Sequence, residues 1–219
     1  DWTHSNALWF NNDESAIFLS SRHLSRIIKI DYPSGNVIWQ MGLNMPSGDV
    51  DCGHDLNFSF QHSLQILDNG NIVTLDNGNL SDDFNGGNAF SRAIEIDPNS
   101  NGSDCEAEVV WEYVLPAELF GHASGGAQKL DNGNYLISTV GDGGTTLEVS
   151  PEMEYPEMVW EAKYNLSLGL IHRAYRASSL YPVEVSAIVS DYTSINGSAG
   201  VYVPTDDGEI EFTIFNDGS

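Results

Sequence analysis

Positive charge is scarce in this chain. Its 219 residues hold 8 Lys and Arg against 32 Asp and Glu, a net charge of −24. Such a surface repels polyanions, which excludes nucleic acid and an anionic membrane face as partners. A small anion is not excluded, because a few placed Arg and His act locally. Cysteine is scarcer still. Cys52 and Cys105 are too few for a disulfide scaffold, and their spacing is no metal motif. A single bridge in an oxidising compartment and two unpaired thiols are equally open readings. No run of about 20 apolar residues exists, so no membrane insertion is expected. Nothing at Asp1 reads as a signal peptide. The abrupt DWTHSN start and the FNDGS end inside a strand-like run suggest a piece of a longer protein. No segment carries a convincing helical period either, so the chain reads as nearly all β. With 41% hydrophobic and 18% charged residues it is globular rather than disordered.

What is there is a repeat. HSNALWFNNDESAIFLSS from His4, HSLQILDNGNIVTLDNG from His62 and HASGGAQKLDNGNYLIST from His122 share one layout. Each opens on His and a small residue and runs through apolar positions to an Asn/Asp/Gly turn. A second apolar run follows. Asn-Gly between two such runs is the strongest short hairpin signal, since both residues tolerate positive φ. A matching second half follows in RIIKIDYPSGNVIWQ, RAIEIDPNSNGSDCEAEVVWEY and TTLEVSPEMEYPEMVWEAKY, with Trp39, Trp111 or Trp160 on the last strand. Each unit therefore holds four strands, a to d. Four strands in roughly 40–60 residues is the signature of a β-propeller blade. Three blades span about residues 4 to 164, and a strand around His172 in LIHRAYRASSL opens a fourth. The tryptophans are expected to pack between blades. Ring closure needs about four to eight blades, so N-terminal blades absent here, or a second subunit, are expected to complete it. Residues 1–182 form the partial propeller on this reading. After Pro182 the pattern alternates without Lys, Arg or a His-led motif, and 183–219 reads as the start of a β-sandwich-like module.

In a propeller, strand a lines the central channel, and its start lies on the same face as the end of strand b. His4, His62, His122 and His172 fall at starts of a, and Arg22 at the end of b in the first blade. Asn6, two residues past His4, is expected on the same side of its strand. Arg supplies a planar fork for a tetrahedral oxyanion, and Asn and His add single hydrogen bonds. A His free of a carboxylate partner serves as nucleophile or base near neutral pH. The set reads as a site for a sulfuryl or phosphoryl group. Taken singly, each His more often caps a loop; recurrence in register lifts the set above its members. His23 and His54 lie in connections and read as structural or solvated. No His pair has i, i+2 or i, i+4 spacing, and no Asp or Glu sits at a strand-a start, so neither a metal nor another cofactor is expected.

DWTHSN, FLSSRH, FQHSLQILDNGNIVTLDNGN, SRAIEID with VVWEY, and LIHRAYRASSLYP together resemble the bacterial arylsulfate sulfotransferase family over about residues 1–182. The resemblance implies a six-bladed propeller that moves a sulfuryl group from a phenolic sulfate ester to a phenol through a sulfurylated histidine, without the nucleotide sulfate donor. It implies His62 as nucleophile and His4, Asn6 and Arg22 as sulfuryl ligands. His122 and His172 join them as substrate-binding candidates by register. The implied partners are a small aryl sulfate and a phenol, and the expected location is periplasmic or secreted, at the cell surface. The family's N-terminal blades supply another active-site His that is missing here, so this piece alone is expected to be inactive. Cys52 lies on a d-to-a connection and Cys105 on a c-to-d connection. Those are opposite faces, so no bridge between them is expected. IDYPSGNVIWQ also resembles quinoprotein-like propellers, which keeps open a non-catalytic propeller that binds a ligand or protein at the cell surface.

Overall fold

A computed structural model describes residues 2–13, 15–44, 52–53, 56–101, 104–152, 154, 156–164, 172–177, 185–189, 192–195, 198–201 and 212–216. The chain divides into two compact units, 1–176 and 177–219. In the second, β15 (Val185–Val189) pairs antiparallel with β18 (Phe212–Asn216), and β16 (Tyr192–Ile195) with β17 (Ser198–Val201).

The first unit holds three four-stranded antiparallel sheets, consistent with propeller-like blades. Sheet one is β1 (Ser5–Asn11), β2 (Ala16–Ser21), β3 (Arg26–Asp31) and β4 (Val37–Gly42), paired in sequence order. Sheet two runs β5 (His62–Ile66), β6 (Ile72–Asp76), β7 (Arg92–Asp97) and β10 (Glu108–Val114). A small hairpin of β8 (Ser100–Asn101) and β9 (Asp104–Cys105) is inserted before its last strand. Sheet three is β11 (Gly126–Lys129), β12 (Tyr135–Thr139), β13 (Thr145–Val149) and β14 (Met158–Lys163). The only α-helix among the described residues is one turn, α1 (Ser81–Asn85). The Asp-Asn-Gly-Asn stretches at 68–71 and 131–134 close their hairpins identically. Leu67 N–H donates to Asn71 O (2.9 Å) and Gly70 N–H to Leu67 O (2.8 Å), as Leu130 does to Asn134 and Gly133 to Leu130.

Two apolar cores lie between the sheets. Phe18, Ile27, Trp39 and Met41 pack with Leu64, Ile66, Ile72 and Ile94. Leu75, Ala93 and Trp111 pack with Tyr135, Ile137 and Leu147. Trp111 stacks on Tyr135 with ring centroids 3.5 Å apart. A polar bond crosses the same junction: Glu95 accepts from Lys129 Nζ (2.8 Å), Tyr135 Oη (2.5 Å) and Asn71 Nδ2 (2.6 Å). Burial disfavours its charge, but these donors outweigh burial and hold the Glu95 carboxyl below its ordinary range.

Three expectations need correction. Trp160 is 45% exposed where Trp39 and Trp111 are 0% and 3%. Among the described residues no fourth sheet covers it, and only the Arg176 guanidinium lies over its ring, at 5.8 Å. Residues 172–177 form no strand. They run beside β11 instead, where Gln128 binds both the N–H (2.9 Å) and the carbonyl (3.1 Å) of Arg176. Gln65 holds Lys129 in the same way one sheet earlier. Arg176 also reaches Glu148, as Lys129 reaches Glu95. The segment thus takes the place of a next inner strand without a partner to pair with. Finally, Cys52 and Cys105 are disulfide-bonded, with Cα atoms 4.8 Å apart. A connection need not stay at its own face: Cys52 lies beside β4 in a parallel bridge to Met41, and its N–H donates to Gln40 O (3.0 Å).

Candidate active site

The site forms where β1 and β5 begin, and both strands are irregular there. The β1–β2 register shifts between Ser5 and Ala7, and the β5–β6 register between His62 and Gln65. A bulge re-aims the side chains around it: Asn6 sits inside the first, and His62, paired with Leu75, borders the second. Backbone with positive φ clusters in the same place, at His4 (49°), Ser25 (48°), Phe60 (56°), Ser63 (65°) and Ser124 (55°). Such conformations are uncommon for residues other than glycine and persist where surrounding bonds impose them. The simple alternation that placed His4 and Asn6 on one side therefore does not operate: His4 precedes the strand in a left-handed conformation.

His62 is the most constrained of the candidates. It is 4% exposed. Its Nδ1 lies 2.7 Å from Asn77 Oδ1 and 3.1 Å from Phe60 O, and its Nε2 accepts from Ser124 N–H at 3.3 Å. Burial pushes its pKa down to about 4, helped by the charges of Arg22 and then His4 and resisted by the bonds to Asn77 and Phe60. His62 is thus a neutral imidazole at ordinary pH.

Buried bonds fix the loop that delivers it. Gln61 Nε2 donates to Ser20 Oγ (2.9 Å) and Arg26 O (2.8 Å), tying the loop to sheet one. On the other side, Asp76 Oδ1 accepts the N–H groups of Ser59 and Gly78, both at 2.9 Å. Its Oδ2 accepts from Arg92 Nε at 2.9 Å. Burial raises the Asp76 carboxyl to about 6 against the pull of Arg92. Arg92 also reaches Glu112 (2.8 Å) and Leu56 O (2.8 Å). Gly78 has φ of 68° and lies so close to the Phe90 carbonyl that a Cβ would strike it. This second Asp-Asn-Gly is therefore a packed strand end rather than a hairpin turn.

The other candidates surround His62. Arg22 stacks over the Phe60 ring at 4.6 Å and donates from Nη2 to His122 O at 3.1 Å. Burial draws its guanidinium below the ordinary value. The His4 ring lies 4.7 Å from that of His23. Slight burial, then the charges of His23 and Arg22, lower its pKa. Asn6 Nδ2 donates to Gln61 O at 2.7 Å, which leaves it one further hydrogen. Its Oδ1 is buried without a partner. His122 is exposed and lies in the loop ahead of β11; its carbonyl, accepting from Arg22 and Asn79 (3.0 Å), is what binds here. His172 is exposed, with Nδ1 3.5 Å from Ser124 Oγ and its carbonyl accepting Gly125 N–H at 2.9 Å. His23 stands at the rim, 5.9 Å from the Phe60 ring. His54 lies outside the described residues.

Four residues of this site carried no functional signal in the sequence. Asn77 looked like part of a turn. Phe60 and Ser124 act through backbone groups that any residue could supply. Arg173, in the quoted HRAYR, donates to the carbonyl of Asn6, and its Nε is buried without a partner. Among the described residues no three His, Cys, Asp or Glu are placed to hold a metal, and no helix is long and apolar enough to cross a membrane.

The arrangement is a neutral, oriented imidazole facing cationic donors, and it fits transfer of a tetrahedral anionic group. Comparison with known proteins agrees in class. The family model for arylsulfotransferase (ASST) matches residues 1–170. The chain belongs to the arylsulfotransferase family. No curated protein matches it. Among solved structures it is similar to a protein of unknown function from Bacteroides caccae, at 15% identity and a TM-score of 0.44, covering 75% of this chain. The chain spans about half (47%) of that structure's length.

Proposed function

We propose that this protein transfers a sulfuryl group from a phenolic sulfate ester to a phenol, through a sulfurylated His62 and without a nucleotide donor. The observation that carries this reading is the buried His62 ring. Its Nδ1 is bound by Asn77 and Phe60, its Nε2 carries only the long contact from Ser124 N–H, and the charges of Arg22 and then His4 act on the ring. Nε2 attacks sulfur, the N–S bond forms, the S–O(aryl) bond breaks and the phenolate leaves. A second phenol then attacks sulfur, the N–S bond breaks and the phenolic proton passes to solvent. Arg22, His4 and the remaining Asn6 hydrogen stabilise the charge on the sulfuryl oxygens, usually the largest catalytic contribution. His122 and His172, at the rim, contact the aryl portions.

The three sheets are then half of a six-bladed propeller ring, with residues 172–176 running along β11 at the edge where a fourth blade follows. The remaining blades come from the same polypeptide or a second subunit. They cover Trp160 and the exposed Leu8 and Phe10. The unit beyond 182 is the start of a β-sandwich-like module. The Cys52–Cys105 bridge supports a periplasmic or secreted location at the cell surface, since such bonds persist in oxidising compartments. The test is sulfuryl transfer between two phenols by the intact protein. His62→Asn is expected to abolish it while thermal unfolding stays unchanged. Undiminished transfer by that variant removes His62 as nucleophile.

A further inference from the structure

The Asn77 side chain can be oriented in only one way. Its Nδ2 donates to Gly121 O (2.5 Å) and Ser124 O (3.1 Å). Both are carbonyls, so that end of the amide must be the NH2 group. The oxygen is thereby turned to His62 Nδ1, and an oxygen can only accept. Phe60 O, the other neighbour of Nδ1, also only accepts. The proton therefore resides on Nδ1, and Nε2 presents a lone pair, as its contact with Ser124 N–H requires. Among the described residues no carboxylate is bonded to the ring. Asp76, the residue before Asn77, spends its oxygens on Ser59, Gly78 and Arg92. The charged or titratable groups around the site among the described residues are Arg22 beyond β2 with His122 beside it, His4 ahead of β1 with His23 against it, Arg173 on the Asn6 carbonyl, and His172 across Ser124.

Resting on the sulfuryl-transfer reading above, we propose that Asn77 is a positioning residue that fixes His62 in the Nδ1–H form and, as an amide rather than a carboxylate, gives the ring no counter-charge when it is sulfurylated. The chemistry of two transfers needs both effects. Sulfurylation at Nε2 leaves Nδ1 protonated, so the ring becomes cationic. A carboxylate at Nδ1 would stabilise that cation and turn the intermediate into a resting state. A neutral amide orients the ring equally well but stabilises the cation less. The N–S bond then breaks readily when the acceptor phenol attacks, and the same imidazole leaves as a neutral, poorly basic group.

The test is a titration of the intact protein labelled with 15N-histidine, with His62 assigned by the signals lost in His62→Gln. Wild-type His62 is expected to show Nδ1 protonated and Nε2 bare, titrating near 4 rather than 6.5. Asn77→Asp should move that titration up by about 1–3 units, the effect of an adjacent opposite charge. The sulfuryl adduct of that variant should form readily but discharge to phenol roughly tenfold more slowly, as a more basic leaving group requires. If Asn77→Asp does not fold by tryptophan fluorescence, Asn77→Ala decides, and the Nε2–H tautomer should then appear. The proposal is overturned if wild-type His62 carries its proton on Nε2, if Asn77→Asp leaves its titration in place, or if Asn77→Ala leaves the tautomer unmixed. These readings hold whether or not an adduct forms. Absence of any wild-type adduct would count against the sulfuryl-transfer reading instead.

Discussion

His62 and His122 open matching stretches of the repeat, HSLQILDNGN and HASGGAQKLDNGN, yet they end in different chemistry. His62 is the first residue of its strand, buried, with both ring nitrogens bonded. His122 stands in a loop ahead of its strand, exposed, and offers a carbonyl to Arg22. Three more residues separate His122 from its Asp-Asn-Gly turn than separate His62 from its own, so the third sheet starts later and its His never enters the ladder. The strand ends differ as well. Asp76-Asn77-Gly78 follows β6, with one side chain clamping the loop and the next clamping the imidazole. After β12 the corresponding place holds Val140, which has no acceptor for a ring nitrogen. A repeat copies the scaffold; the chemistry lies in the few residues where the copies part.

That contrast can be broken at several depths. His62→Asn should cost at least about ten-thousand-fold in kcat, since the covalent route is lost. Next comes the clamp. Arg92→Ala leaves Asp76 buried and unpaired, and should lower stability by about 3–5 kcal/mol in urea unfolding. Arg22→Ala removes the donor fork that His122 holds and should cost about 100- to 1,000-fold in kcat. The pH dependence sharpens the same point. Because burial and cationic neighbours depress His62, its lone pair survives down to about pH 4. The acid limb of kcat/KM should therefore fall near pH 4 rather than near 6.5. The smallest effect belongs to the sister residue. His122→Ala keeps the carbonyl that Arg22 uses, so a loss below about threefold is expected in the same assay.

Much of the scaffold was legible. Paired Asn-Gly turns between apolar runs gave the hairpins, and the three Trp-bearing strands gave the sheet count. Two of those tryptophans are buried as expected, and the third is exposed because no described sheet lies beyond it. The site was legible in its charges and not in its orientation. His62 and Arg22 stand out as residue types at a strand start and a strand end. Asn77 does not, because Leu-Asp-Asn-Gly reads equally well as a turn, and only the Phe90 carbonyl against Gly78 makes it a packed strand end. The bulges at Asn6 and His62 were hidden for a related reason. An inserted residue leaves the apolar pattern nearly unchanged while it redirects the side chain. The disulfide escaped because strand order alone assigns a connection to one face, whereas Cys52 lies beside β4 in a bridge to Met41.

The central claim is that a sulfuryl group rests on His62. Mixing the intact protein with an aryl sulfate in the absence of acceptor, quenching, and mapping the modified peptide by mass spectrometry tests it directly. One added sulfuryl group is expected on the peptide containing Phe60-Gln61-His62, absent in His62→Gln and discharged by added phenol. A sulfuryl group found on another residue, or transfer between phenols that proceeds with no modified His62, would contradict it.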